Sequence, residues 1–313
     1  MTNQAIQAQR PKFSAMISTP GYQKLINNTL QDPKRAQRFV AAITSAVATN
    51  PTLQECDPPT ILSGALLGES LGLSPSPQLG QYYLVPYWNK KKGCNDAQFQ
   101  LGYKGYVQLA LRSGYYKHLN VIAVKAGEIA RFDPLTEEVD FRMIEDEDAR
   151  EKAPTAGYLA TFEYLNGFRK TIYWSKEKML AHADKFSPAF SKDGQIIKKG
   201  NNTYKKVSFA DFEAGNYPKQ DEWLYSSFWY KNFDAMAFKT MLRQLISKWG
   251  IMSIDLQTAF EQDTIVESSE DYMEAAEIAL PAAVDDGEAD ASEENSQEPE
   301  IPQEEEQVNI NDL

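Results

Sequence analysis

The stretch Gln98-Phe99-Gln100-Leu101-Gly102-Tyr103-Lys104-Gly105-Tyr106-Val107-Gln108-Leu109-Ala110-Leu111-Arg112-Ser113-Gly114 interleaves amides, cations and glycines more densely than any other part of the chain. If 103–113 is helical, Lys104, Gln108 and Arg112 fall at i, i+4 and i+8 and share one face. Tyr103, Val107, Ala110 and Leu111 then take another side, with the Tyr103 hydroxyl still open to a ligand at the helix start. Gly102 and Gly105 remove side chains where free N–H groups meet a phosphate. Two cations and neutral amides beside bare backbone suit a phosphodiester path. An ordinary amphipathic helix with a solvated polar side has the same pattern, so the residues alone leave both readings open.

A second helical stretch repeats the arrangement. Lys239 and Arg243 stand one turn apart beside the apolar stripe Phe238, Met241, Leu242, Leu245 and Trp249, and Lys231 lies two turns earlier, somewhat around the axis. Phe228, Trp229, Tyr230 and Phe233 offer base-stacking surfaces, each worth roughly 1–3 kcal/mol per stacked base. Aromatic residues at helical spacing are more often core.

Catalytic patterns are missing. No GxxxxGK[ST] is present, so the sequence has no phosphate-binding loop for ATP hydrolysis. His118 and His182 sit in no metal-ligand spacing, Cys56 and Cys94 form no zinc set, and no GxSxG occurs. The run Glu145-Asp146-Glu147-Asp148 is contiguous, and adjacent carboxylates do not converge on one metal. Two competing readings are a metal-dependent nuclease using scattered carboxylates such as Asp133, Glu163 and Asp255, and a passive coat on single strands.

The charge is divided along the chain. The 313 residues hold 32 Lys+Arg and 44 Asp+Glu, a formal net charge of −12. Residues 261–313 carry 19 of the acids and no Lys or Arg, which leaves a basic body with 25 acids against all 32 cations. A basic body with an acidic tail points to a polyanionic partner, although a solubilising tail has the same composition. Two cysteines without paired spacing fit a reducing cytosol. With no apolar run near the roughly 20 residues that span a bilayer, no membrane role is expected.

These residues need elements to position them. Residues 1–21 read as a flexible arm and 22–55 as short helices broken at Pro33, a candidate oligomerisation region. Residues 56–256 read as the core, and 257–313 as a disordered acidic tail. Within the core, Asp57 is the expected N-cap of a helix over 60–71 that ends at Gly72. Strands follow at 81–87, 98–101 and 119–124, and Asn166-Gly167 marks a hairpin joining 157–163 to 169–174. Residues 187–222 read as a mobile polar insertion. One long helix is expected from Trp223 to Trp249, stopping at Gly250.

The run Gln98–Gly114, continued by Val121–Glu128, resembles the core of the RecT family of phage single-strand annealing proteins. Met236-Ala237-Phe238-Lys239-Thr240-Met241-Leu242-Arg243 is similar to that family's Met-Ala-x-Lys-Thr…Arg helix, with Phe238 where relatives often carry a second lysine. Leu71-Gly72-Leu73, Leu79-Gly80 and Tyr83–Tyr87 give a third match, and the three span about residues 55–256 in family order. The resemblance implies an α+β fold: a small twisted antiparallel sheet flanked by helices, a Rad52-like single-strand annealing core. It also implies rings or helical filaments of one chain, and annealing of complementary DNA without ATP in the cytoplasm of a bacterial host. Single-stranded DNA and the annealed duplex are the implied ligands, with a phage 5′→3′ exonuclease supplying the strand. Gln98, Gln100, Tyr103, Lys104, Gln108, Arg112, Lys231, Lys239 and Arg243 are the expected DNA contacts. No cofactor is required on this reading, and Mg²⁺ enters only as a modulator acting through the DNA. The tail is expected either to compete with DNA or, through Val308–Leu313, to dock a host single-strand-binding protein.

Overall fold

The structure is a computed structural model that describes residues 12–199 and 202–268. Proline punctuates its helical N-terminal third. α1 spans Phe13–Ile17, and α2 (Pro20–Leu30), α3 (Pro33–Ala48), α4 (Pro51–Gln54) and α5 (Pro58–Ser70) each begin at a proline. A first-turn position suits proline because its missing N–H would have no partner there. Asp32 and Asn50 cap α3 and α4 by accepting from the backbone N–H of Lys34 and Thr52. Asp57, the expected cap of α5, makes no such bond; its carboxylate takes the Lys92 ammonium at 3.2 Å instead. The flexible arm expected over 1–21 is corrected from Phe13 onward: Phe13, Met16 and Ile17 form an apolar face at 3,4 spacing and are buried. Residues 1–11 lie outside the described residues.

β1 (Tyr82–Asn89) and β2 (Cys94–Leu101) form an antiparallel hairpin whose inner face packs on α5. Gly64 and Gly68 permit that approach: a Cβ would stand 2.6 Å from the Leu84 side chain at Gly64 and 2.4 Å from the Tyr82 ring at Gly68. α6 (Tyr103–Arg112) leads into β3 (Tyr116–Lys125), the small β4–β5 hairpin (Ile129–Phe132, Val139–Phe141), α7 (Glu147–Lys152), β6 (Thr155–Tyr164) and β7 (Arg169–Ser175). The second sheet is antiparallel in the order β3-β6-β7, and the β6–β7 turn has Gly167 at φ 85°.

After α8 (Lys176–Phe186), residues 187–222 do not make a featureless insertion. They contain the hairpin β8–β9 (Gln195–Lys199, Asn202–Lys206) and α9 (Phe209–Glu213), with a 3-10 turn over Lys219–Tyr225 at their end. Phe190 and Phe209 are buried, as are Leu224 and Tyr225 just beyond the segment, and these apolar side chains hold it on the core. The long helix expected from Trp223 is also divided. α10 (Phe228–Lys231) ends at Asn232, whose φ of −149° and ψ of 76° leave the helical region, and whose side chain caps α11 (Phe233–Trp249) by accepting from Ala235 N–H. α11 lies across the β3-β6-β7 sheet, where Ala237, Met241, Leu242 and Leu245 bury with Tyr158, Ala160 and Phe162.

A final correction concerns the boundary expected at residue 257. α12 spans Ile254–Ser268 and buries Leu256, Ala259 and Asp263, so the body continues past that point. The remainder of the expected tail, residues 269–313, lies outside the described residues. The architecture is α+β with small antiparallel sheets and flanking helices, as expected. Among the described residues, no helix is long and apolar enough to cross a membrane.

Candidate nucleic-acid interface

Strand alternation decides what β2 presents. Ala97, Phe99 and Leu101 turn inward to the core, so Gln98 and Gln100 turn the other way, paired with Val85 and Tyr83 on β1. The Gln100 amide donates to the Tyr87 hydroxyl, and both glutamines are half-buried.

Leu101 ends β2 and α6 starts two residues later, after a sharp junction. Here the two glycines have a different role from the one expected. A Cβ at Gly102 would stand 2.1 Å from Gly80 O, and one at Gly105 would stand 2.1 Å from Gln81 O. Both glycines are buried, and Gly102 N–H donates to Gln81 O at 2.9 Å. They let the helix start press against the 80–81 backbone, and they do not open a cradle there. Beside this junction Lys104 lies across Gly80, with Gln108 and then Arg112 exposed farther along α6. Arg112 donates to the carbonyls of Leu71 and Gly72 at the end of α5, and its guanidinium stands 3.7 Å from Asp255 of α12.

Lys239 and Arg243 project from α11 toward the same junction, but under α12. Each side chain is only 13% exposed. Asp263, 1% exposed, accepts from Lys239 Nζ at 2.9 Å and lies 3.4 Å from an Arg243 nitrogen. It also accepts from Leu101 N–H at 3.2 Å and from the Tyr106 hydroxyl at 3.1 Å. One carboxylate therefore gathers four donors from β2, α6 and α11. Phe260, one turn earlier on α12, lies against the Arg243 guanidinium, 4.9 Å from its ring centre. Tyr103 meets Phe238 edge-on at 5.7 Å, which joins α6 to α11 beside this cluster.

The expected contacts thus fall into groups. Gln98, Gln100, Tyr103 and Lys104 stand around the end of β2 and the start of α6, while Gln108 and Arg112 continue along α6. Lys239 and Arg243 reach the junction from α11 but engage Asp263. Lys231 is exposed at the end of α10. Of the proposed stacking aromatics, Trp229, Tyr230 and Phe233 are buried among Phe190, Phe209 and Tyr225, whereas Phe228 is half-buried near Tyr83. The residues that sequence reasoning missed are Asp263 and Tyr106. Leu256, Ala259, Phe260 and Asp263 share one helical face, a periodicity that the acidic composition beyond residue 260 obscured.

The nuclease carboxylates are dispersed. Asp133 and Glu163 line one cleft of about 910 Å³ between the β4–β5 hairpin and the sheet, and Asp255 lies elsewhere, on α12. The backbone N–H groups of Leu135 and Thr136 hold the Asp133 carboxyl below its ordinary value, and the Lys117 ammonium does the same for Glu163. Both are engaged anions with little tendency to take up a proton. No group of three metal-binding side chains occurs among the described residues.

The family model described as RecT family matches residues 37–279. The chain is 37% identical over 262 residues to the uncharacterized protein YqaK of Bacillus subtilis, covering 83% of this chain and 75% of that one. It is 32% identical over 252 residues to Protein RecT of Escherichia coli, covering 80% and 79% respectively. The family match runs through α12, so the helix bearing Asp263 lies within the matched region.

Proposed function

The chain belongs to the RecT family, whose members act in DNA recombination by annealing single strands, and from that premise we propose how it holds DNA. The protein binds one strand by its sugar-phosphate backbone and leaves the bases free to pair with a complementary strand. The strand passes the end of β2 and the start of α6. Gln98, Gln100, Tyr103, Lys104, Gln108 and Arg112 contact it there, with Lys231, Lys239 and Arg243 approaching from α10 and α11. The observation that carries this reading is the convergence of two family-like runs, Gln98–Gly114 (the end of β2 and α6) and Met236–Arg243 (in α11), on one junction rich in donors.

Cations and amides grip phosphate without reading sequence, so binding is nearly sequence-blind and weakens with salt. Base pairing supplies the driving free energy, and annealing therefore needs no nucleotide hydrolysis. Repetition of the path across neighbouring protomers adds many weak grips into a stable assembly. The family implies such self-association, and we assign it to the N-terminal helices. Their outer groove, about 750 Å³, is lined by Gln23, Asn27, Ala36, Val40, Ala41 and Thr44. The proposed partners are a phage 5′→3′ exonuclease that exposes the strand and a host single-strand-binding protein met through residues 308–313, which lie outside the described residues.

The test is the pairing rate of two complementary oligonucleotides at low salt without ATP. Purified full-length protein should accelerate it in proportion to the protein added. A flat rate across the titration refutes annealing, and a rate that falls while single strands are tightly bound identifies a passive coat.

A further inference from the structure

The carboxylate of Asp263 is an unusual tenant for the place it occupies. Its four donors are a backbone N–H, a phenol, an ammonium and a guanidinium, a set that meets phosphate oxygens as well as carboxylate oxygens. The four contacts measure 2.9–3.4 Å, so donors from three elements converge on one pair of oxygens. The two non-bridging oxygens of a phosphodiester offer the same donors an equivalent pair of acceptors. A second contact points the same way: Asp255, also on α12, stands 3.7 Å from Arg112. Two acids of one helix therefore rest on three of the cations assigned to DNA.

We propose that the donors gathered on Asp263 form a phosphate site of the single-strand path, which α12 occupies until the DNA backbone displaces it. This rests on the annealing reading above and adds the means by which its buried cations become available. α12 is suited to the exchange. It follows α11 after only a short link at Gly250–Ser253, and Leu256 and Ala259 are its fully buried apolar anchors among the described residues. Ile254, Asp255, Gln257, Glu261 and Gln262 on the same helix are exposed. Beyond it the sequence continues acidic with no Lys or Arg to its end, so α12 has no attraction of its own for the DNA that replaces it. The exchange also confers selectivity: a single small anion cannot lift a helix, whereas a strand that engages Lys104, Gln108 and Arg112 at the same time can.

Hydrogen exchange of the full-length protein, with and without a thymidine oligonucleotide, tests the displacement. Amides of 254–263 should exchange faster once DNA is bound; unchanged or slower exchange overturns the proposal. In parallel, Asp263→Asn keeps the shape of the residue and removes its charge. It should bind the oligonucleotide about 5- to 150-fold more tightly, the usual span of coupling free energies between two sites of one protein. Equal or weaker binding by a folded Asp263→Asn protein overturns the proposal as well. If that variant does not fold, the exchange measurement on the unaltered protein decides. Should the protein anneal strands while α12 stays protected, only this inference falls; should it neither bind nor anneal, the broader reading falls with it.

Discussion

Among the described residues, two carboxylates are buried almost completely, and their surroundings differ. Glu128 is 0% exposed at the corner between β3 and β4, where it accepts from Lys125 N–H at 2.8 Å and Arg150 Nε at 2.6 Å. Burial alone would push its carboxyl up, but Arg150 and the N–H groups of Lys125 and Ile144 outweigh that and hold it below the ordinary carboxylate value. Asp263 is as deeply placed, with contacts that likewise reach 3.4 Å, but its donors come from elements far apart in sequence. Glu128 is a closed, locally built clasp that ties α7 to the sheet. Asp263 is a long-range plug over side chains that the family resemblance assigns to DNA. The same chemistry of buried acid and arginine thus serves a corner that stays shut in one place and a surface proposed to open in the other.

The largest effect expected is at the clasp. Glu128→Ala leaves Arg150 and two N–H groups without their acceptor and should cost about 3–5 kcal/mol of stability in a urea titration. Because the group is fully ionised above its lowered pKa, its stabilisation is complete at neutral pH and disappears as the pH falls through that value. Annealing by the folded fraction should be unchanged, and a specific loss of DNA binding would erase the contrast between the two sites. Lys239→Ala comes next. It should lower stability by about 1.5–3 kcal/mol, the worth of a hydrogen bond to a charged group. It should also weaken binding of single strands, and a stability loss with unchanged affinity would reduce Lys239 to a counter-ion. Lys104→Ala is the smallest change. Stability should stay within about 0.5 kcal/mol, while the salt dependence of binding should flatten by about 0.7 in log–log slope, the share of one single-strand phosphate contact. An unaltered slope removes Lys104 from the path.

Much of the scaffold is legible in the sequence because its signals are local. Prolines at first helical turns, the alternation of Phe99 and Leu101 with Gln98 and Gln100, and the Asn166-Gly167 turn each act within a few residues. Other features are misread for equally physical reasons. Residues 187–222 look polar because of their lysines, yet Phe190 and Phe209 within the segment, and Tyr225 just beyond it, are buried in the core. Gly102 and Gly105 suggest bare backbone for a ligand, but the need for them is set by Gly80 and Gln81, a backbone neighbour that no helical pattern reveals. Composition places the start of the tail too early, since charge obscures the short apolar face of α12.

The sequence by itself determined the residue types and their spacing: cations at i and i+4, amides on one side of a strand, a basic body ahead of an acidic end. Those are properties of neighbours along the chain, and backbone geometry turns them into faces. Only the tertiary structure decided which of those faces meets water. Lys239 and Arg243 have the same helical spacing as Lys104 and Gln108, yet they lie under α12 because Asp263 folds back on them, and on Leu101, 162 residues away. A charge pattern fixes what a side chain can hold, and what it does hold is set by whichever distant group the packing of the core brings within reach.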